Sequence, residues 1–382
     1  MKLCAITTID ATMSSFVIDV MREFVKRGDE VTLICSMSDS FLQKYSKEFH
    51  CINIPMKRGV SISDALKIVP QLMRLFKKER FDYIQYATPN ASLYASLAAW
   101  LTRQKNRVYC QWGIRYVGAE GIMRCFLKSL EKMTCRISTH IRSASRKNME
   151  FAISEGLYKP EKAAIIGDGG TIGVDLAEFD INQKQNWKKE ILSRMPQLEG
   201  KYVFCFVGRI QKDKGVEELL EAFLNAHDTN PNMALLLLGG TDGDISKELM
   251  QRAERCGDVC FTGFTKEVKL FLAASDALVH PSYREGFSMV IQQAMAMGLP
   301  VITTDIPGPS EVIEPNVSGV LVPPHTSAPL KEKMLWLSQH REIGEEMGQK
   351  GLERAKKLFN RNRMIDLTLK DRMEIIENST KN

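Results

Sequence analysis

The stretch that decides the fold is Pro281-Ser-Tyr-Arg-Glu-Gly-Phe-Ser-Met-Val-Ile-Gln-Gln-Ala-Met-Ala-Met-Gly-Leu-Pro-Val-Ile302. Its pattern predicts the end of a strand, an acidic turn with glycine, a helix, and a break at Gly298-Leu-Pro300 that leads into another strand. Glu285 stands directly before Gly286, and a glycine lets the backbone come close to a ligand at the start of a helix. A helix-capping acid is the competing explanation for Glu285.

A second glycine-bounded turn, Gly208-Arg-Ile-Gln-Lys-Asp-Lys-Gly215, follows the apolar run at 202–207. Two glycines with Arg209 and Lys214 at a strand-to-helix turn suit a diphosphate. A surface turn with incidental cations is the alternative, and the position between a buried strand and a helix favours phosphate. The two turns together predict an enzyme that holds an activated phosphate donor and acts on its far end.

Apolar runs alternate with helical patterns along the whole chain, which is typical of parallel sheets covered by helices. The pattern occurs twice, so we predict two doubly wound domains facing an interdomain cleft, at residues 1–179 and 180–359. The polar stretch Asp180–Gly200 is the predicted junction, and a helix at about 360–378 is expected to pack on the first domain. Strands are predicted at 2–6, 30–35, 82–86, 107–111, 137–141 and 163–166, and then at 202–207, 234–239, 258–261, 276–280, 300–303 and 319–322.

The composition indicates an ordinary globular protein without a membrane-spanning segment. The chain has 382 residues and a net charge of +6, and no apolar run is long enough for a spanning helix. The first apolar run is broken by Asp10, so a signal peptide is not expected. Nine cysteines without a Cys-x-x-Cys pair predict reduced thiols and a cytoplasmic location. No nucleic-acid partner is expected.

The charge is distributed unevenly along the chain. Residues 1–170 carry 26 Lys and Arg against 16 Asp and Glu, a net of +10. This positive excess predicts that the first domain binds a partner with an anionic surface. On one predicted helix the cations recur every four residues and so lie on one stripe, which is either a solvated face or a face for an anionic membrane. The stripe consists of Arg124, Lys128, Lys132 and Arg136.

The two turns, their spacing, and the segments 298–302 and 307–311 resemble the retaining, nucleotide-sugar-dependent glycosyltransferases of family 4, whose fold is called GT-B. The resemblance implies that Arg209 and Lys214 hold the donor diphosphate and that Glu285 contacts the donor sugar. It also implies three further kinds of donor contact. Gly208 stands directly before the cations, and Gly263 matches a position near the nucleotide base. The turn that opens the helix contributes Gly286, Phe287 and Ser288.

The chain departs from the family pattern at two places. The pattern has a second Glu eight positions after the first, where it grips the ribose diol, and this chain has Gln293 there. A glutamine offers one acceptor and one donor group where a carboxylate offers two acceptors. Many relatives also place a histidine near residues 111–116, where Gln111 or Trp112 stands in this chain. Arg115 is a candidate for an acceptor phosphate, and aromatic packing under a loop is the alternative for this segment.

The resemblance implies a hexosyl- or N-acetylhexosaminyltransferase that moves a sugar, with retention, from a nucleoside-diphosphate sugar to an acceptor. A UDP-sugar is the expected donor substrate, with no separate cofactor. The expected acceptor is a sugar or lipid-linked saccharide for a bacterial surface polysaccharide such as a capsule, made at the inner face of the membrane. The alternatives are a non-catalytic accessory subunit of the same fold, which Gln293 suggests, and a sugar-nucleotide epimerase.

A metal site is not expected. Asp242-Gly-Asp244 resembles a metal-binding Asp-x-Asp, but it follows an apolar run without a third ligand in view. A solvated acidic loop is the favoured interpretation. Arg209 and Lys214 would supply the positive charge that a metal otherwise brings to a diphosphate.

Overall fold

A computed structural model of the chain describes residues 1–57, 59, 62–241, 243 and 245–380. The chain forms two compact units. The first runs from Met1 to Ile172 and resumes at Asn362, and the second is Gly173–Arg361. The passage between the units thus comes earlier than residue 180, the predicted start of the second domain.

The first unit is built on a seven-stranded parallel sheet in the order β3-β2-β1-β4-β5-β6-β7. Most of its strand residues are buried, as in β4, because helices cover both faces of a parallel sheet. The strands are β1 Lys2–Ile9, β2 Glu30–Ser36, β3 His50–Asn53, β4 Tyr83–Ala87, β5 Arg107–Gln111, β6 His140–Ser143 and β7 Ala163–Ile165. The helices are α1 Asp10–Phe16, α2 Ile18–Lys26, α3 Asp39–Tyr45, α4 Ile62–Glu79, α5 Pro89–Leu101, α6 Gly121–Ile137 and α7 Arg146–Ser154.

The second unit is built on a six-stranded parallel sheet in the order β10-β9-β8-β11-β12-β13. Its strands are β8 Tyr202–Val207, β9 Met233–Leu238, β10 Val259–Gly263, β11 Ala277–His280, β12 Val301–Thr304 and β13 Gly319–Val322. Its helices are α8 Lys184–Arg194, α9 Val216–His227, α10 Lys247–Arg255, α11 Val268–Ala273, α12 Met289–Ala296, α13 Pro309–Val312, α14 Ser327–Gln339 and α15 Arg341–Leu358. The two-sheet, doubly wound fold class is therefore confirmed.

The last helix, α16 (Arg361–Thr380), packs against the sheet of the first unit from Asn362 onward. The Arg372 side chain is buried and donates to Gln85 Oε1 at 3.4 Å, while Arg142 Nε donates to Asp371 Oδ1 at 2.7 Å. The chain thus returns to the first unit after completing the second.

Several predicted elements were wrong in detail. Strand β3 was not predicted, and the helical segment between β1 and β2 is divided into two helices that meet at Val17. The polar stretch predicted as a junction contains helix α8, which packs against α11. Helix α8 buries Ile191, and Lys269 Nζ lies 5.2 Å from the centroid of the Trp187 ring.

Candidate active site

The second sheet changes its winding direction between β8 and β11. From β8 the chain proceeds outward to β9 and β10, and it then returns to place β11 on the other side of β8. Loops that follow such neighbouring strands diverge, and the crevice they leave at the carboxyl ends is where doubly wound folds bind ligands. Both glycine turns predicted to contact the donor, 208–215 and 281–288, begin at these two strand ends.

The two turns are locked together by backbone and side-chain contacts. Gly215 has a φ of +69°, and a Cβ there would lie 2.0 Å from the carbonyl oxygen of Pro281, so only glycine permits this approach. Tyr283 N donates to Asp213 O at 3.0 Å, and Arg284 Nη2 lies 2.9 Å from Asp213 Oδ2. The two turns therefore form one surface rather than two independent loops.

The Lys214 ammonium donates a hydrogen bond to Glu285 Oε1, which places the predicted phosphate cation beside the predicted sugar contact. His280, the last residue of β11, is 2% exposed, and its Nε2 lies 3.5 Å from the same carboxylate oxygen. Sequence reasoning did not identify His280. The available signal was a histidine at the carboxyl end of a buried strand, immediately before Pro281 and the acidic turn.

Glu285 is ionised in this setting. Burial alone would raise the pKa of its carboxyl group, but His280 and the Lys214 ammonium outweigh burial and lower the pKa to about 2. At neutral pH Glu285 is therefore a carboxylate that only accepts hydrogen bonds. It can hold a sugar hydroxyl, and it has no proton to give a leaving group.

The start of α12 is organised by other residues of the acidic turn. Ser288 is the N-cap, and its hydroxyl accepts from Ile291 N at 3.3 Å, so the capping role considered for Glu285 belongs to Ser288. The Phe287 ring is buried and packs edge-on against Phe359 at 5.5 Å. A Cβ on Gly308, whose φ is +94°, would lie 2.3 Å from Gly286 O. The turn is thus supported from both sides.

The remaining donor-side candidates lie at the same edge of the second sheet or on the helix that follows it. Gly208 directly follows β8, Arg209 is exposed beside it, and Gly263 ends β10 with a φ of +69°. Gln293 is half-buried on α12, whereas its neighbour Gln292 is fully buried and donates to Ser288 O at 3.2 Å.

The acceptor-side candidates of the first unit lie in different surroundings. Trp112 packs on Phe16 at 5.3 Å and lines a hollow of about 410 Å³ that also contains Arg142 and Arg372. Arg115 lines a second hollow of about 330 Å³ between the start of α5 and the inner face of α6. The structure thus does not bring Trp112 and Arg115 into one site.

Gln111, considered beside Trp112 as a replacement for the family histidine, is part of a buried polar cluster. Gln111 donates to Glu131 Oε1 at 2.6 Å and accepts from Tyr158 Oη at 2.9 Å. Burial raises the pKa of Glu131. The hydrogen bonds that its carboxyl group makes with Gln111 and Tyr109 lower the pKa and offset part of that rise. The amide is therefore occupied within the core.

A strained residue marks the winding change of the first sheet, where β1 and β4 are neighbours. Thr88, the residue directly after β4, has a φ of +70°, which is unfavourable for a β-branched side chain. Its hydroxyl accepts from Thr8 N at 3.0 Å and lies 2.7 Å from Thr8 Oγ1. Such strain is concentrated at functional sites, so Thr88 joins the candidates of the first unit. The sequence carries no signal for its φ.

Part of the cationic stripe of α6 is paired within the first unit, which the spacing of the cations does not reveal. Lys128 Nζ lies 2.7 Å from Glu155 Oε2 and Arg124 Nη2 lies 4.0 Å from it. Lys132 and Arg136, further along the helix, are exposed. Glu155 therefore neutralises part of the stripe.

Among the described residues no helix is both long and apolar enough to cross a membrane, and no three His, Cys, Asp or Glu side chains are grouped as metal ligands. Asp242 and Asp244, the two acids of the possible metal motif, lie outside the described residues.

Comparison with known proteins matches both units. A family model described as "Glycosyl transferases group 1" matches residues 188–354, and one described as "Glycosyl transferase 4-like" matches residues 2–145. The capsular polysaccharide biosynthesis glycosyltransferase CapM of Staphylococcus aureus is 28% identical over 341 residues, which are 88% of each chain. A UDP-Gal:alpha-D-GlcNAc-diphosphoundecaprenol alpha-1,3-galactosyltransferase of Escherichia coli is 24% identical over 303 residues, covering 77% of this chain and 76% of the relative.

The crystal structure of Anabaena Alr3699/HepE in complex with UDP has the same fold. It superposes with a TM-score of 0.78 at 19% sequence identity and covers 98% of this chain and 100% of that chain. The two doubly wound sheets, the matched family models and this likeness of fold agree with one another. The chain therefore belongs to the glycosyltransferases that these two family models describe, and its two doubly wound sheets form the GT-B fold.

Proposed function

We propose that this protein is a retaining glycosyltransferase that moves a hexosyl or N-acetylhexosaminyl group from a UDP-sugar to a lipid-linked saccharide during synthesis of a capsule-type surface polysaccharide. The observation that carries the proposal is the contact between Lys214 and Glu285 at the winding change of the second sheet. A cation for the diphosphate and a carboxylate for the sugar stand side by side there.

Lys214 can serve the carboxylate and the donor together. An ammonium group has three N–H donors, so one can remain on Glu285 while the others reach phosphate oxygens. Arg209 adds a planar guanidinium that suits two phosphate oxygens at once. As the sugar–oxygen bond breaks, negative charge grows on the departing diphosphate, and these fixed cations stabilise it.

Glu285 then acts by positioning the sugar. Its carboxylate stays ionised because of its lowered pKa, so it accepts hydrogen bonds from sugar hydroxyls and aligns the anomeric carbon. We propose departure and attack on the same face of the sugar. The bond between the anomeric carbon and the diphosphate oxygen breaks, the acceptor oxygen bonds to that carbon, and the acceptor proton passes to the departing diphosphate.

The proposed donor and acceptor classes have separate support. UDP is the nucleotide in the Anabaena structure of the same fold, and the name of the E. coli relative includes a diphosphoundecaprenol-linked acceptor. In this chain the hollow at Arg115 combines a guanidinium with the apolar side chains of Leu93, Leu127 and Leu130. That combination suits a phosphate joined to a hydrocarbon chain.

We also propose that transfer needs no divalent metal, because Arg209 and Lys214 supply the charge that otherwise comes from one. Activity is then expected to persist in EDTA. Complete loss in EDTA that is restored by Mn²⁺ or Mg²⁺ would contradict this part of the proposal.

The experiment that tests the function is a transfer assay with the purified chain. UDP-, GDP- and ADP-sugars are each incubated with a polyprenyl-diphosphate saccharide, and NMR of the product identifies the anomeric configuration. We expect a UDP-sugar to be used with its anomeric configuration retained. Inversion would contradict the mechanism, consumption of donor without acceptor would indicate an epimerase, and no turnover with any donor would favour an accessory subunit.

A further inference from the structure

The first turns of α6 expose an unusual amount of apolar surface. Residues 121–126 are all exposed, and among them the side chains of Ile122, Met123 and Phe126 are 91%, 57% and 43% exposed. These three residues are called the α6 tip. Val117, in the short 3-10 helix that precedes α6, is also exposed. Clustered apolar side chains of this size mark a surface that is covered by a partner.

The α6 tip is held in place by the first unit, because the residues on either side of it are fixed by contacts. Tyr116, one turn before α6, is buried and donates to Glu155 Oε2 at 3.2 Å. Lys128, one turn after the tip, lies 2.7 Å from the same oxygen. Further along α6, Glu131, Thr134 and Cys135 are buried against the unit. The apolar end is therefore presented outward by a helix whose remaining length is fixed in place.

The charges that accompany the tip are predominantly positive. Between residues 115 and 137 there are five Lys and Arg against two Glu, and one of those, Glu131, is buried. Glu120 is the exposed acid nearest the tip, and Glu155 pairs with Lys128. Lys132 and Arg136 remain exposed. A helix with exposed apolar side chains at one end and cations along its length is the arrangement that lies in a lipid interface.

We propose that the α6 tip inserts its three apolar side chains into an anionic lipid surface and that the neighbouring cations orient it there. Apolar burial supplies the main attraction, because Glu155 already satisfies part of the cationic stripe. This differs from attachment by the four cations alone. Insertion of the α6 tip would keep the first unit beside lipid-linked acceptors, and in this respect the inference rests on the proposed function. Binding to vesicles can nevertheless be measured without any sugar transfer.

The test is co-sedimentation of the whole chain with vesicles. Vesicles of phosphatidylcholine with phosphatidylglycerol are compared with vesicles of phosphatidylcholine alone, for the wild type and for a variant with Ile122→Ser, Met123→Ser and Phe126→Ser. We expect the wild type to bind the anionic vesicles preferentially. The triple variant should need at least tenfold more lipid for half-maximal binding, with an unchanged affinity for UDP.

A matched control uses exposed apolar side chains of the second unit. Val317→Ser with Ile343→Ser removes residues that are 38% and 40% exposed, and this pair should leave vesicle binding unchanged. Glu155→Gln should bind anionic vesicles more tightly than the wild type, because it releases Lys128 and Arg124.

Equal binding by the wild type and the α6-tip variant would overturn the inference. So would an equal loss in the control pair, which would indicate non-specific adhesion. A change from dimer to monomer in the α6-tip variant, measured by light scattering without lipid, would instead assign the tip to a second copy of the chain. UDP affinity and transfer to a water-soluble acceptor are followed in parallel, so failure of the proposed function is recognised separately.

Discussion

Glu285 is constrained by two neighbours of different character. The Lys214 ammonium contacts its Oε1, and the buried His280 ring lies 3.5 Å from that oxygen. The contact with Lys214 joins two turns that are far apart in sequence, whereas His280 is close in sequence and reaches Glu285 because the turn after β11 folds back. A carboxylate held from two sides keeps one orientation, which a sugar contact requires.

The lowered pKa of Glu285 predicts how this residue responds to acid. Its folded pKa of about 2 lies below the ordinary 4.5, so the unfolded chain binds the proton first. Stability contributed by Glu285 is present above pH 4.5 and is lost as the pH falls towards 2. In urea unfolding, the difference between the wild type and Glu285→Gln should shrink from about pH 5 to about pH 3. A difference that stays constant over this range would show that the carboxylate is not held in this way.

A carboxylate at position 293, as in the family pattern, is expected to increase the affinity for the nucleotide. If the Gln293 side chain contacts the ribose diol, Gln293→Glu provides two charged acceptor oxygens and should tighten UDP binding by about 1 kcal/mol, roughly fivefold. Gln293→Ala should weaken binding. Isothermal titration calorimetry with UDP distinguishes these results. Equal affinities for all three proteins would place Gln293 outside the nucleotide site.

At the residue scale, the sequence predicts best those site residues whose signal lies in their immediate sequence neighbours. The turns at 208–215 and 281–288 could be located because glycine and charge follow buried strands. His280, Glu155 and Thr88 could not be assigned, because their significance depends on a neighbour in space or on a backbone angle. The spacing of the α6 cations was visible, but the acid facing them lies at the end of another helix.

At the scale of elements, the glycine turns depend on close backbone approach. Gly308, with a φ of +94°, precedes α13, and a Cβ there would meet Gly286 O at 2.3 Å. Gly308→Ala should lower the free energy of unfolding by more than about 1 kcal/mol and displace the Glu285 turn. Gly257→Ala is the control, because a Cβ there meets nothing within 4 Å. Urea unfolding of both variants measures the difference, and equal stability would contradict the packing described.

Because Lys184 of helix α8 is partly buried, we expect the free energy of unfolding to depend on pH in the alkaline range. Lys184 Nζ donates to Met297 O at 2.8 Å, and burial lowers the pKa of Lys184 from 10.5 to about 8. Between pH 8 and 10.5 the unfolded chain binds more protons than the folded one, so stability rises with pH. Lys184→Met should remove this contribution. Urea midpoints at about pH 8, 9 and 10 test it, and identical slopes for both proteins would argue against burial of the ammonium.

The elements of the second sheet were the easiest to predict. Their strands are apolar and uninterrupted because both faces are covered, as in β9, where every residue is buried. Strand β3 was missed because it is a short strand at the sheet edge with no fully buried residue. Helix α8 was missed because its polar composition resembles a linker, and its packing on α11 is a tertiary effect.

At the scale of the whole molecule, the same doubly wound plan is used twice with different charge. Residues 1–170 carry a net charge of +10, whereas the whole chain carries +6. Under the proposed function, the second unit holds the donor through fixed cations and one carboxylate, and the first unit meets the acceptor and its lipid. The return of α16 brings the last described helix back to the unit in which the chain starts.

The turnover of Lys214→Ala tests the central claim most directly, with Lys212→Ala as its control. Lys212 lies in the same turn, but its side chain is 64% exposed and its nearest acid, Glu217, is 3.9 Å away. Transfer of labelled sugar to a lipid-linked acceptor should fall roughly 10²–10³-fold in Lys214→Ala, the usual size for losing one preorganised electrostatic contact. Arg209→Ala should show a similar loss, and Lys212→Ala should retain near-normal turnover. Equal turnover in the Lys214 and Lys212 variants would contradict the assignment of this turn to the donor diphosphate.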